Sequence, residues 1–444
     1  MREVTMADRL YSADLIEKGR IGEKYALAGW VERIRDVGGV KFLLVRDRKG
    51  HFQVVFKKGQ VPDTIYEEIT HLGREDVIHI EGELRENPIA PQGRELLPKR
   101  LTILNRSQRP LPLEFRDERV RSGLDTRLNW RTIDLRNSRN AAVFRLQSEI
   151  AHAIREYFRG QGYIEIFTPK IVGAATESGA EVFITSYFGR EAVLAQSPQF
   201  YKQMMMATGF DKVFEVGPVF RAEKHHTPRH LCEYHSVDFE RAFIKSYEDV
   251  MDEVERLNRY ILSYVERNCR EHLEAFDVSI TIPQKIPRIT MREAYKLLEK
   301  REKRIPHGAD LDAEGERILS SVVSEEYGSD LLFLTEFPWE KRPFYTKRKE
   351  DEPEWTYSFD LIHSGIETTT GGQREHLYDI LIKQCEEKAY NPKDFEFYLN
   401  FFKHGMPPHG GVGIGLERVT QQILGLSNIR EARLLPRDPE RLFP

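Results

Sequence analysis

Cysteine is scarce. The chain has three, Cys232, Cys269 and Cys385, far apart and with no CxxC among them. An odd, scattered set argues against a disulfide framework and against a cysteine-based zinc site. Long hydrophobic runs are also missing. The longest apolar stretches, such as 42–45, are strand-length, so no membrane-spanning segment is expected. The opening MREVTMADRL has no apolar core and does not read as a secretory signal. No internal repeat and no low-complexity tract occurs. The expected setting is the cytoplasm.

What is present fits a globular protein with a sizeable core: 40% of residues are hydrophobic and 31% charged. A length of 444 residues predicts two or three domains. The net charge of −4 hides an asymmetry. Residues 1–140 carry 27 Lys+Arg against 22 Asp+Glu, and residues 141–444 carry 40 against 49. A mildly basic front half suits a polyanionic partner, although ordinary fluctuation gives the same imbalance as readily.

Short β-rich segments at 24–35, 40–45, 51–56, 77–84 and 94–104 alternate with polar turns, and a short helix is expected at 62–72. Five strands with a helix between the third and fourth is the pattern of an OB-fold, a small barrel that binds single-stranded nucleic acid on one face. Residues 107–140 are polar, proline-punctuated and arginine-rich, and read as a hinge or linker. From Ala141 the pattern changes. Val143, Leu146, Ile150, Ile154 and Phe158 share one helical face, ended by Gly160 and Gly162. Strands then lie close in sequence, as at 213–220 and 235–243, which favours an antiparallel sheet over a doubly wound one. The expected organisation is therefore a barrel over 1–106, a linker over 107–140 and a larger α+β domain over 141–444.

Three constellations carry chemistry. FRAE (220–223) is followed by RHLCEY (229–234), Asp238 and Glu240. Two strands joined by a polar loop bring Arg221 and Arg229 together, and guanidinium forks suit phosphate oxygens. A surface salt-bridge ladder would look similar, but here it is flanked by apolar strands. GGVGIGLER (410–418) lets backbone approach a ligand closely. Asp360, Glu367 and Arg374 are spaced by seven. Paired carboxylates suit Mg²⁺, which keeps waters and phosphates as its other ligands; a solvated strand edge is the plainer alternative.

Together these segments resemble one family. FRAE with RHLxE is similar to motif 2 of the class II aminoacyl-tRNA synthetases, and GIGLERV (413–419) to their motif 3. GYIEIFTP (162–169) resembles motif 1, which ends on a proline at the dimer interface. The likeness runs over essentially the whole chain. QSPQFYKQ (196–203), TGGQRE (370–375) and GMPPHGG (405–411) resemble the archaeal/eukaryotic-type aspartyl group. The resemblance implies an α+β multidomain fold: an N-terminal OB-fold barrel plus a class II antiparallel sheet flanked by helices. It implies a homodimer that ligates L-aspartate to tRNA(Asp) through an aspartyl-adenylate formed from ATP with Mg²⁺.

By matched position, Arg221 is the catalytic residue at the α-phosphate. Glu223, Arg229, His230, Leu231, Tyr234, Glu367, Gly415 and Arg418 join it around ATP, with Tyr234 where the family usually stacks Phe on adenine. Asp360 and Glu367 would carry Mg²⁺. Glu177, Gln199, Lys202, Arg221, Thr370 and Arg374 would hold aspartate. Lys202 and Arg374 are read as two cations left unpaired for a carboxylate. In the barrel, Arg35, Phe42 and Gln53 match the anticodon-reading positions, since splayed bases suit an aromatic platform and an amide. Enzymes of the group that accept only tRNA(Asp) tend to carry lysine where this chain has Pro91, so use of tRNA(Asn) is also expected. Glu32 departs from the aromatic residue or histidine expected there. The alternatives are an asparaginyl-tRNA synthetase, an aspartyl-like asparagine synthetase, and a non-catalytic RNA-binding paralogue. QSPQFYKQ argues against the first, the barrel against the second, and the complete set of arginines and carboxylates against the third.

Overall fold

A computed structural model describes residues 9–116, 122–173, 181–224 and 227–444. The chain divides into two compact units, Met1–Pro112 and Leu113–Pro444. In the first, β1 (Lys24–Val37), β2 (Val40–Asp47), β3 (Gly50–Lys57), β4 (Val77–Glu86) and β5 (Arg94–Asn105) form a closed barrel in the order β1-β2-β3-β5-β4. Alternation sends Leu43, Val45, Phe52, Val54, Ile80 and Leu96 inward, where all are fully buried. Gly38 and Gly39, both at positive φ, close the β1–β2 hairpin. The expected helix forms at Asp63–Glu68 behind Pro62 and continues as a tighter turn over Ile69–His71.

The second unit begins with two short helices, Leu124–Asn129 and Arg131–Asp134, within the stretch read as a linker. The long helix runs from Ser138 to Gly160, and the Asn137 side chain caps it by accepting from the Arg139 and Asn140 amides. Its buried face holds Val143, Leu146, Ile150, Ile154 and Phe158, as the spacing requires. The remaining strands are β6 (Ile164–Glu165), β7 (Ile171–Val172), β8 (Ile184–Tyr187), β9 (Arg190–Leu194), β10 (Lys212–Phe220) and β11 (Glu233–Ala242), then β12 (Arg288–Thr290), β13 (Leu331–Thr335), β14 (Ser358–His363), β15 (Ile366–Gln373) and β16 (His409–Gly415).

Eight of them form one sheet, in the order β12-β13-β14-β15-β16-β11-β10-β6. The six central strands, from β13 to β10, pair with one another antiparallel. Only the edge pairs β12/β13 and β10/β6 are parallel. The helices Ser138–Gly160, Tyr247–Asn268 and Leu416–Leu424 contribute to one core with the sheet, centred on Phe158, Phe214, Phe239, Leu257, Phe359 and Val412. Along β11, Val237 and Phe239 enter that core, so Ser236, Asp238 and Glu240 point to the opposite face. That face carries the site. Among the described residues no helix is long and apolar enough to cross a membrane.

Candidate active site

A cavity of about 630 Å³ opens on the polar face of the large sheet. Arg221, Glu223, Arg229, His230, Leu231 and Tyr234 line it from β10, β11 and the loop between them. Glu367 and Thr370 enter from β15, Arg374 from just beyond it, and Gly415 and Arg418 from β16 and the helix that follows. Motif 2 and motif 3 are almost 200 residues apart in sequence, yet β11 and β16 pair directly, Ser236 opposite Gly415. The Arg221 guanidinium lies 5.9 Å from the centre of the Tyr234 ring. Arg418 donates to the Glu367 carbonyl (2.8 Å) and its Nη1 lies 3.6 Å from the Glu367 carboxylate. Arg229 pairs with Glu316 at 2.6 Å, and His230 Nε2 is 3.6 Å from Glu223. Burial, with Arg418 and Arg229 beside it, pulls His230 down to about 4, so the ring is neutral at pH 7.

Asp360 sits on β14 opposite Thr370, and Glu367 one bulge away on β15 opposite Ile362. Burial pushes the Asp360 carboxyl up to about 7; Arg342 opposes the rise and the Glu367 charge adds to it. Arg342 donates to Asp360 (2.8 Å) and to Thr370 Oγ1 (3.0 Å), its guanidinium 3.7 Å from the centre of the Phe337 ring. The two carboxylates are thus near enough to repel, an arrangement a shared divalent cation would relieve. Among the described residues no group of three or more metal-ligating side chains gathers.

The amino-acid end differs from the sequence expectation in one respect. Lys202 and Arg374 are buried, but neither is unpaired. Lys202 Nζ donates to Asp238 (2.7 Å) and to the Val412 carbonyl (2.7 Å), with Glu240 at 3.6 Å. Arg374 Nε donates to Glu240 (3.0 Å) and Nη2 to the Gly411 carbonyl (2.8 Å). Two uncompensated cations at this depth would cost several kcal/mol each, so the fold supplies a carboxylate for each. Two donors nevertheless remain. Arg374 Nη1 has no hydrogen-bond partner among the described residues. Arg374 Nη2 also reaches the Gln199 oxygen (3.4 Å), and since arginine only donates, this fixes the amide and leaves the buried Gln199 Nε2 without a partner. Glu177 lies outside the described residues. Arg342 and Glu316 carried no sequence signal, since neither lies in a segment that resembles a family motif.

Residues 123–439 match the family of class II tRNA synthetases (D, K and N), and residues 25–104 match the OB-fold nucleic acid binding domain. The chain belongs to the class II tRNA synthetases. This synthetase is 50% identical to the aspartate–tRNA(Asp/Asn) ligase of Aeropyrum pernix, over 98% of its own length and 99% of the relative's. It is 48% identical to the aspartate–tRNA(Asp) ligase of Pyrococcus abyssi, with the same coverage. Among solved structures, asparaginyl-tRNA synthetase from Pyrococcus horikoshii with asparaginyl-adenylate superposes with a TM-score of 0.92 at 32% identity, covering 99% of this chain and all of that one. A putative aspartyl-tRNA synthetase from Leishmania major gives 0.88 at 30%, covering 100% and 97%.

On the synthetase's barrel, Arg35 and Phe42 pair directly across β1 and β2, and Gln53 lies beyond them on β3, opposite Leu44. Arg35 is exposed, while Phe42 is half-buried against the barrel core. Gln53 Nε2 and Asn87 Nδ2 both donate to Glu95 at 2.9 Å. Pro91 is exposed in the turn between β4 and β5. Glu32, at the bulge in β1, pairs with His51, which gives this unexpected carboxylate a partner within the barrel.

Proposed function

We propose that the synthetase ligates L-aspartate to tRNA in two steps. The aspartate α-carboxylate attacks the α-phosphorus of ATP, the bond to pyrophosphate breaks, and aspartyl-adenylate forms. The 3′-terminal ribose hydroxyl of tRNA then attacks the adenylate carbonyl and AMP leaves. No side chain is a covalent nucleophile, so the protein contributes position and electrostatics. Arg221 binds the α-phosphate and stabilises the charge that builds there. Arg229, His230 and Arg418 hold the outer phosphates, Glu223 meets the adenine amino group, and Tyr234 stacks on the ring. Asp360 and Glu367 would hold Mg²⁺, whose charge neutralises phosphate oxygens when it is bound.

The observation that carries the amino-acid assignment is the pair of donors left over at the cavity floor, Arg374 Nη1 and Gln199 Nε2. Both suit carboxylate oxygens, and relatives at 48–50% identity are aspartate ligases by name. The asparaginyl reading keeps some support from the fold, since an asparaginyl enzyme superposes with a TM-score of 0.92. ATP–pyrophosphate exchange with aspartate, asparagine or no amino acid separates the two. Exchange driven by aspartate alone is expected; exchange driven by asparagine alone would replace the assignment.

Both tRNA(Asp) and tRNA(Asn) are proposed acceptors. Their anticodons, GUC and GUU, differ at the third base, where cytosine offers an amino donor and uracil an acceptor. Pro91 has no side-chain donor and no backbone N–H with which to tell them apart. The Aeropyrum relative carries an Asp/Asn name and the Pyrococcus relative an Asp name, so the relatives divide. Charging of the two tRNAs decides it: efficiencies within about tenfold are expected, and a preference for GUC of about a hundredfold, about 2.7 kcal/mol, would overturn the proposal.

A further inference from the structure

Arg229, Arg418 and the His230 ring each have a carboxylate beside them, and two of these three carboxylates have other work. Glu367 and Glu223 line the cavity themselves. Glu316 does not. It lies in the first turn of the helix Ala313–Tyr327, outside every motif read in the sequence. Among the described residues its carboxylate has one hydrogen-bond partner, Arg229 Nη1, at 2.6 Å. Both side chains are mostly buried, at 16% and 28% exposure, so the contact is not a loose surface pair. Arg229 itself faces the cavity, and Arg418 Nη2 lies 3.5 Å from its carbonyl.

We propose that Glu316 is an ATP-affinity residue: its carboxylate occupies Arg229 in the ATP-free enzyme, and the ATP phosphates must displace it. The inference rests on the reading of Arg229 as a phosphate ligand. A guanidinium offers a limited set of donors in a fixed fork, and a donor satisfied by a carboxylate is not available to a phosphate oxygen. Burial pushes the Glu316 carboxyl above its ordinary value while Arg229 opposes the shift, so Glu316 is itself better off paired. ATP binding therefore works against this contact. It lowers affinity without touching the amino-acid end, where Gln199 and Arg374 lie.

The test is calorimetric titration of the full chain with Mg²⁺ and α,β-methylene-ATP, a non-reacting analogue. Glu316→Gln keeps the shape and removes the charge. It should bind the analogue on the order of fivefold more tightly, while the KM for aspartate in pyrophosphate exchange stays unchanged. Glu316→Asp keeps the charge and should bind like the natural protein. Unchanged or weaker binding by Glu316→Gln would overturn the proposal, as would equal tightening by Glu316→Asp. Arg229→Ala serves as the control for the underlying reading. If it binds the analogue as well as the natural protein does, Arg229 is no phosphate ligand and the two ideas fall together. If it binds weakly and Glu316→Gln does not tighten, only the role of Glu316 fails.

Discussion

Lys202 and Arg374 show what a residue type can and cannot announce. Their sequence context marks both as site residues, but their partners Asp238 and Glu240 lie 36 and 134 positions away. Removing one member of a buried pair leaves the other charged and desolvated, at a cost of about 3–5 kcal/mol. Lys202→Met should therefore lose stability of that order, with Asp238 left to Ser236 and the Gly413 backbone nearby. Equilibrium denaturant unfolding measures it, and a loss under about 1 kcal/mol would mean the pair contributes little. Arg374→Ala should in addition lose aspartate activation, since it removes a donor from the substrate as well as a partner from Glu240. If the variant kept its aspartate affinity but lost its ATP affinity in exchange assays, the division of the cavity between the two substrates would be wrong.

Among the elements, β16 is the one whose glycines matter most. A Cβ on Gly411 would collide with the Phe239 carbonyl and with the Glu240 carboxylate. Gly411→Ala should thus push Glu240 off Arg374, costing about 1–3 kcal/mol of stability and reducing aspartate-dependent exchange far more than that loss alone explains. Near-natural exchange in a folded Gly411→Ala protein would argue against it. The glycine cluster was visible in the sequence, but its purpose was not. Close backbone approach to a ligand was the expectation, and at Gly411 the close neighbour is the adjacent strand. The barrel strands and the long helix were legible because each buries one periodic face, a pattern local sequence carries. The helices Leu124–Asn129 and Arg131–Asp134 were not, because they are too short for a period and rest on distant contacts. Arg131, for instance, donates to the Glu431, Arg433 and Leu434 carbonyls.

For the whole molecule, acid should be destabilising. Burial pulls His230, His363 and His409 each down to about 4, from an ordinary value of 6.5. Between pH 6.5 and 4 the unfolded chain takes up a proton at each and the native chain does not, so stability falls as pH falls. Asp360, raised to about 7, has the opposite sign in this window and offsets one histidine. With His230 and His363 both contributing less because they are partly exposed, the net loss is on the order of 1–2 kcal/mol per pH unit. Urea unfolding at pH 7 and pH 5 measures it; equal stability at the two would refute the assignment. The molecule is also proposed to be a homodimer, as motif 1 in its family implies. Light scattering should then give about twice the chain mass of 51.9 kDa, and the single-chain mass would exclude it.

The sequence by itself determined the barrel, the long helix, the antiparallel preference of the large sheet and a dozen of the residues that line the cavity. Those features depend on local periodicity and on short motifs whose residues are neighbours in the chain. Only the tertiary structure decided which charges are neutralised and which donors are left for a substrate. Charge compensation depends on distance in space, and Arg374 meets Glu240, Arg342 meets Asp360 and Arg229 meets Glu316 only after the sheet and its flanking helices have assembled.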